Sequence, residues 1–156
     1  MGILKDKIAF ITGSAMGNGE GIARVMAEKG ATVILADVND KVFETAASIG
    51  KNAAAYKMDV SDYDAVKEVA DDVIRRFGRL DILVNNAGIA RMIVVENMDD
   101  ALRDLHYKVN MIGTWNCVKA FIPHMIEKKY GRIINMSSVT GPRVVDPGMM
   151  GYAMSK

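Results

Sequence analysis

Tyr152 and Lys156 stand four residues apart in the stretch GYAMSK. On a helix that spacing puts both side chains on one face. An ammonium beside a phenol favours the phenolate and lowers its pKa from about 10 toward neutrality. A phenol tuned in that way can accept or return the proton of an alcohol. Read singly, a Tyr is an amphipathic packing residue and a Lys at a chain end is solvated. The pair needs other motifs beside it before chemistry becomes the better reading.

One such motif lies near the start. TGSAMGNGEG joins an apolar run to a helical pattern, with Gly13, Gly17 and Gly19 spaced G-x3-G-x-G. This is not G-x-G-x-x-G, but the mechanics are shared. Glycines let the backbone turn tightly and approach a diphosphate, which meets free N–H groups at the helix start. The plain alternative is a tight strand-to-helix turn. Asp37 closes the next apolar run, 18 positions after Gly19. In a dinucleotide fold an acid there accepts hydrogen bonds from both adenosine ribose hydroxyls and repels a 2′-phosphate, which favours NAD over NADP. Read alone, Asp37 would be a cap or loop acid. Asp59, after the third run, divides evenly between a contact to the adenine edge and a helix-entry role.

The elements that must position these residues alternate. Strands are expected at 7–12, 31–37, 52–60, 80–88 and 131–138, and helices at 19–30, 40–50, 61–78 and about 98–129. Ser61 is the expected N-cap of the third helix, and Gly30, Gly50 and Gly78 read as helix stops. The segment 141–151 reads as a loop from its Pro and Gly content. Short apolar strands alternating with amphipathic helices predict an α/β fold, a doubly wound parallel sheet covered on both faces.

The 156 residues fit one domain, and half of them are hydrophobic. A formal net charge of +1, with no long basic run, points neither to nucleic acid nor to an anionic membrane. The N-terminal apolar stretch is too short for a secretory signal, and no run has the length of a membrane span. The single Cys117 allows no internal disulfide, so a cytoplasmic setting is the default expectation. His106 and His124 have no carboxylate or Cys at ligand spacing, so they read as surface or packing residues and no metal is expected.

TGSAMGNG (12–19), NNAG (85–88), Asn110 in VNMIG, INMSS (134–138) and YAMSK (152–156) occur in order over the whole chain. In these motifs the sequence resembles the short-chain dehydrogenase/reductase family, in its compact single-domain branch. The resemblance implies a Rossmann fold and interconversion of a secondary alcohol and a ketone by hydride transfer. Gly13, Gly17 and Gly19 would shape the diphosphate turn, with Asn18 beside it where many relatives have Ile. Asp37 would select the ribose. Asn86, Ala87 and Gly88 would border the cofactor riboses. Ser138, Tyr152 and Lys156 would form the catalytic trio, with Asn110 holding a water in a proton relay and Lys156 also bonding the nicotinamide ribose. The resemblance further implies a homo-oligomer packed partly through the long helical region, where Trp115 and Phe121 are either core or interface.

The alternatives are a 3-oxoacyl-carrier-protein reductase, against which Asp37 weighs, and a dinucleotide-binding fragment without turnover. The substrate is an unspecified small alcohol or ketone, with Val144, Val145, Met149 and Met150 offering an apolar wall. A doubly wound dinucleotide fold wants about six strands, and five are counted. The chain is therefore expected to be truncated after the Tyr-x-x-x-Lys motif and to lack C-terminal strands and helices. In that state the fifth strand would show a bare edge, 152–156 would lack support as a helix, and the chain would not turn over.

Overall fold

The computed structural model describes residues 2–141, 143 and 146–156. Val144 and Val145, two residues of the expected apolar wall, lie outside the described residues.

Five strands, β1 (Ile8–Thr12), β2 (Thr32–Asp37), β3 (Ala53–Lys57), β4 (Ile82–Asn85) and β5 (Arg132–Asn135), form one sheet in the order β3-β2-β1-β4-β5. Every pairing is parallel. The chain thus runs outward on one side of β1, returns, and runs outward on the other. That reversal beside β1 is where the two halves of a doubly wound sheet leave a crevice.

Alternation along each strand divides the core between two faces. Phe10, Ile34 and Leu83 pack with Val66, Val73, Cys117 and Phe121 under helices α3 (Tyr63–Phe77) and α5 (Gly113–Glu127). The Phe10 and Phe121 rings meet at 4.9 Å. Ile11, Val33, Leu35 and Val84 pack with Ala23 and Val42 under α1 (Gly17–Glu28) and α2 (Lys41–Ile49). Burial pushes the Cys117 thiol up to about 12, so it behaves as a small apolar side chain.

Helix α3 shows how local sequence sets an element. Val66, Ala70 and Val73 fall on one buried stripe, and Gly78 ends the helix at φ 78°. Its cap is Asp62 and not the expected Ser61. The Asp62 Oδ1 accepts from Asp64 N and Ala65 N, while Ser61 N donates to Asp59 Oδ1. The stronger acceptor sits one residue later, and the turn at Asp59 uses Ser61 through its backbone.

The expected helical region 98–129 is resolved into α4 (Asp100–His106), a wide π turn over Tyr107–Ile112, and α5. Asn110 sits in the π turn, where local distortion was expected from an amide in mid-helix. Phe121 is core, whereas Trp115 is exposed. The expected loop 141–151 ends early, because α6 spans Met150–Ser155. Its first turn is closed by Ala153 N donating to Met149 O. Packing against α4 and the π turn stabilises this short helix, support that nucleation alone does not give.

Asp81 is the buried charge at the sheet's seam. Its Oδ2 accepts from Ile8 N at 2.9 Å and from Arg79 Nε at 3.0 Å. Its own N–H donates to Ile8 O and its carbonyl accepts from Arg132 N. One residue therefore fixes the starts of β1, β4 and β5.

Candidate active site

The glycine turn sits at the C-terminal end of β1, against the NNAG segment that follows β4. Gly13 has φ 65°, and a Cβ there would lie 2.7 Å from Ala87 Cα. A Cβ at Gly19 would run into the Gly13 carbonyl. Side chains larger than hydrogen would therefore force the two segments apart. Asn86 Nδ2 donates to Thr12 O and to Gly13 O, both at 3.0 Å. Thr12 Oγ1 accepts from Asn86 N at 3.0 Å and Ala87 N at 2.9 Å. Ser14 Oγ donates to Ile11 O and accepts from Ala36 N, tying the turn to β2. Thr12 and Ser14 were not singled out in the sequence, although both flank Gly13 in the motif. Hydroxyls on either side of a tight turn were the available signal.

Asp37 ends β2 with each carboxylate oxygen engaged once. Oδ2 accepts from Ala15 N and Oδ1 from Asn39 N, each at 2.9 Å. These bonds leave acceptor capacity on both oxygens. Asp37 lines a cleft of about 220 Å³ with Gly13, Asp59, Ala87, Gly88 and Val109. Asp59 borders this cleft, and its Oδ1 accepts from Ser61 N in the turn before α3. Gly17 and Asn18 are exposed at the start of α1 and border a separate groove with Ile22 and Met136.

The second cluster gathers around α6. Lys156 Nζ donates to Met136 O at 3.0 Å, and burial lowers its ammonium pKa from the usual range. A Cβ at Gly88 would lie 3.1 Å from Lys156 Nζ and 3.2 Å from Asn110 Oδ1. Gly88 therefore links the cleft to the Lys156 amine. Asn110 is buried, and its amide is largely committed. Oδ1 accepts from Ile89 N at 2.8 Å, while Nδ2 donates to Ile89 O at 3.0 Å and to Ser155 Oγ at 2.8 Å. Ser138 Oγ accepts from Thr140 N, which leaves its O–H to donate elsewhere. Tyr152 is half-buried on α6, and its carbonyl accepts from Ser155 Oγ.

Of the expected apolar wall, Met150 joins Ala153 and Met154 on one face of α6, where they line a cavity of about 550 Å³ with Val94, Val95, Glu96 and Asp146. At about 100° per residue, Tyr152 projects from the other side of the helix. Among the described residues, no group of three potential metal ligands occurs, and no helix is long and apolar enough to cross a membrane.

The geometry agrees with what the chain resembles. The oxidoreductase UcpA of Salmonella typhimurium is 46% identical over 159 residues, covering 100% of this chain and 60% of that protein. The 3-oxoacyl-[acyl-carrier-protein] reductase FabG of Thermotoga maritima is 37% identical, covering 98% of this chain and 63% of that protein. The crystal structure of an NAD+-bound xylitol dehydrogenase superimposes with a TM-score of 0.93 at 31% identity, covering 99% of this chain and 61% of that one. The chain therefore spans about 60% of the length of the relatives it matches. The family model for short chain dehydrogenases matches residues 7–156, so the chain belongs to the short-chain dehydrogenase family.

Proposed function

We propose that the full-length protein is an NAD-dependent oxidoreductase that interconverts a secondary alcohol and a ketone, with Tyr152 as acid and base. The observation that carries this reading is Gly88, which lines the Asp37 cleft on one side and abuts Lys156 Nζ on the other. A dinucleotide fits the residues present. Gly13 and Gly19 leave no room for a Cβ, so the backbone there is held close and bare. Asp37 would take the adenosine ribose, and Asn86, Ala87, Gly88, Tyr152 and Lys156 the riboses nearer the reacting end. The bound nicotinamide would supply the hydride acceptor or donor.

The chain's own groups handle the proton. Tyr152 takes it from the alcohol, or returns it in the reverse direction. Lys156, whose Nζ rests against Gly88, holds the ribose beside the reacting carbon. The free O–H of Ser138 donates to the substrate oxygen and stabilises charge that develops there. Because the Asn110 side-chain amide is bonded to Ile89 and Ser155, its relay role passes to the carbonyl, which accepts from Thr114 Oγ1 at 3.1 Å and has a second lone pair for a water. A homo-oligomer is part of this reading, supported by Trp115, Ile122 and Ile126, all exposed along α5.

The test is Tyr152→Phe in the full-length protein, assayed for NAD-linked oxidation across a panel of secondary alcohols. Turnover should fall by about 1,000-fold while NAD affinity stays nearly unchanged. Near-normal turnover in the variant would remove Tyr152 from the proposed role. The likeness to the Thermotoga reductase keeps a 3-oxoacyl reductase as the second reading. Steady-state rates with NADH and NADPH separate the two, since Asp37 should repel a 2′-phosphate.

A further inference from the structure

We propose that His106 is a positioning residue for this site, forming with Asn110 a two-rung clamp that sets the Gly88–Arg91 segment against α6. The inference rests on the oxidoreductase reading above. His106 is completely buried at the C-terminal end of α4. Its Nδ1 lies 2.8 Å from Leu102 O, and its Nε2 accepts from Arg91 N at 3.2 Å. A carbonyl oxygen only accepts and a backbone N–H only donates, so the proton belongs on Nδ1 and Nε2 carries the lone pair.

The spacing of the partners gives the arrangement its meaning. Asn110 holds Ile89 by both N–H and carbonyl, and His106 holds Arg91 by its N–H. Those two loop residues are two apart, and their holders are four apart across the π turn. The same two side chains also meet α6 at positions four apart. Asn110 donates to Ser155 Oγ, and a Cβ at Gly151 would sit 3.2 Å from His106 Nδ1. Each rung therefore runs from the loop after β4, through the α4–α5 helix, to the helix that carries Tyr152 and Lys156. An imidazole suits the upper rung because one rigid ring presents a donor and an acceptor on different sides. A side chain that only filled space would leave the Arg91 N–H without this acceptor.

The segment so held includes Gly88, against which Lys156 Nζ rests. Displacing it moves the wall between cleft and amine without touching the glycine turn or Asp37. Loss of His106 should therefore damage turnover far more than cofactor binding.

The experiment uses the full-length protein. Nitrogen NMR of the unmodified protein should show His106 as the Nδ1–H tautomer, and the Arg91 amide should be protected from hydrogen exchange. In His106→Leu that protection should fall by at least about tenfold. Turnover should drop by about 100-fold, with the NAD dissociation constant rising by less than about tenfold through the shifted Gly88. His106→Gln, whose amide carries a donor and an acceptor, should recover most of both losses. An Nε2–H tautomer would overturn the clamp without any variant having to fold. Unchanged turnover in His106→Leu, or NAD affinity falling in step with turnover, would equally overturn the positioning role. Absence of turnover in the unmodified protein would sink the oxidoreductase reading instead, while the tautomer and exchange data still decide the clamp.

Discussion

In β1 every residue from Ala9 to Thr12 is buried, whereas all four residues of β5 are exposed. The β1–β2 half carries the glycine turn and Asp37, which are tied together by the Ala15 N–Asp37 Oδ2 bond. Ser14 bridges β1 and β2 within that half, while Thr12 and Asn86 join the glycine turn to the segment after β4. The β4–β5 half is less enclosed. Ile133 and Ile134 are open to solvent on β5, and α6 rests on Asn110, His106 and the Lys156–Met136 bond. The difference teaches that the cradle for a dinucleotide is fixed by backbone and short side chains within the buried sheet. The reacting end depends instead on a few side chains that reach α6 from the α4–α5 helix.

Breaking the seam between the halves should have the largest effect on stability. Asp81→Ala removes the charged, buried acceptor of Ile8 N and leaves that half-buried N–H without its side-chain partner. A loss of about 3 kcal/mol is expected in urea unfolding. An unchanged midpoint would mean the halves are not joined through Asp81. A smaller effect is expected inside the cofactor half. Gly19→Ala drives a methyl into the Gly13 carbonyl, which costs about 2 kcal/mol and should weaken NAD binding while sparing β5. Hydrogen exchange resolved by segment would show whether the damage stays on the β1 side.

The smallest effect sharpens the comparison from the reacting side. Burial lowers the folded pKa of Lys156 below its ordinary value of 10.5, so the unfolded chain binds more protons in the window just below that value. Stability should rise with pH there, as the cost of the buried ammonium is relieved. In Lys156→Met that rise should be flattened. A slope identical in both proteins would show that Lys156 is as well solvated folded as unfolded.

The same division explains what the sequence made legible. Glycine spacing, Asp37 and the alternating apolar runs are local signals, and they led to a doubly wound parallel sheet with a glycine turn after its first strand. The cap of α3 was misread by one residue because Ser61 and Asp62 are both good caps, and only the turn at Asp59 decides between them. Helix α6 was expected to begin later and to lack support, because its stabilisation comes from α4 and the π turn, around 45 residues away in the case of Asn110 and Ser155. His106 read as a packing residue for the same reason. No pattern within its own helix indicates Arg91 or Gly151 as neighbours.

The wide turn at Tyr107–Ile112 changes the angular phase between the two helices it joins. A regular α-helix advances about 100° per residue, so one extra residue in a turn offsets everything upstream by about that angle. Downstream, Cys117 and Phe121 face the sheet, while upstream His106 is aimed at Arg91 and α6. Deleting a single residue from 107–112 would make the helix more regular and aim His106 away from its partners. At this point in the chain, an irregular turn lets one continuous helix address two separate layers of the molecule.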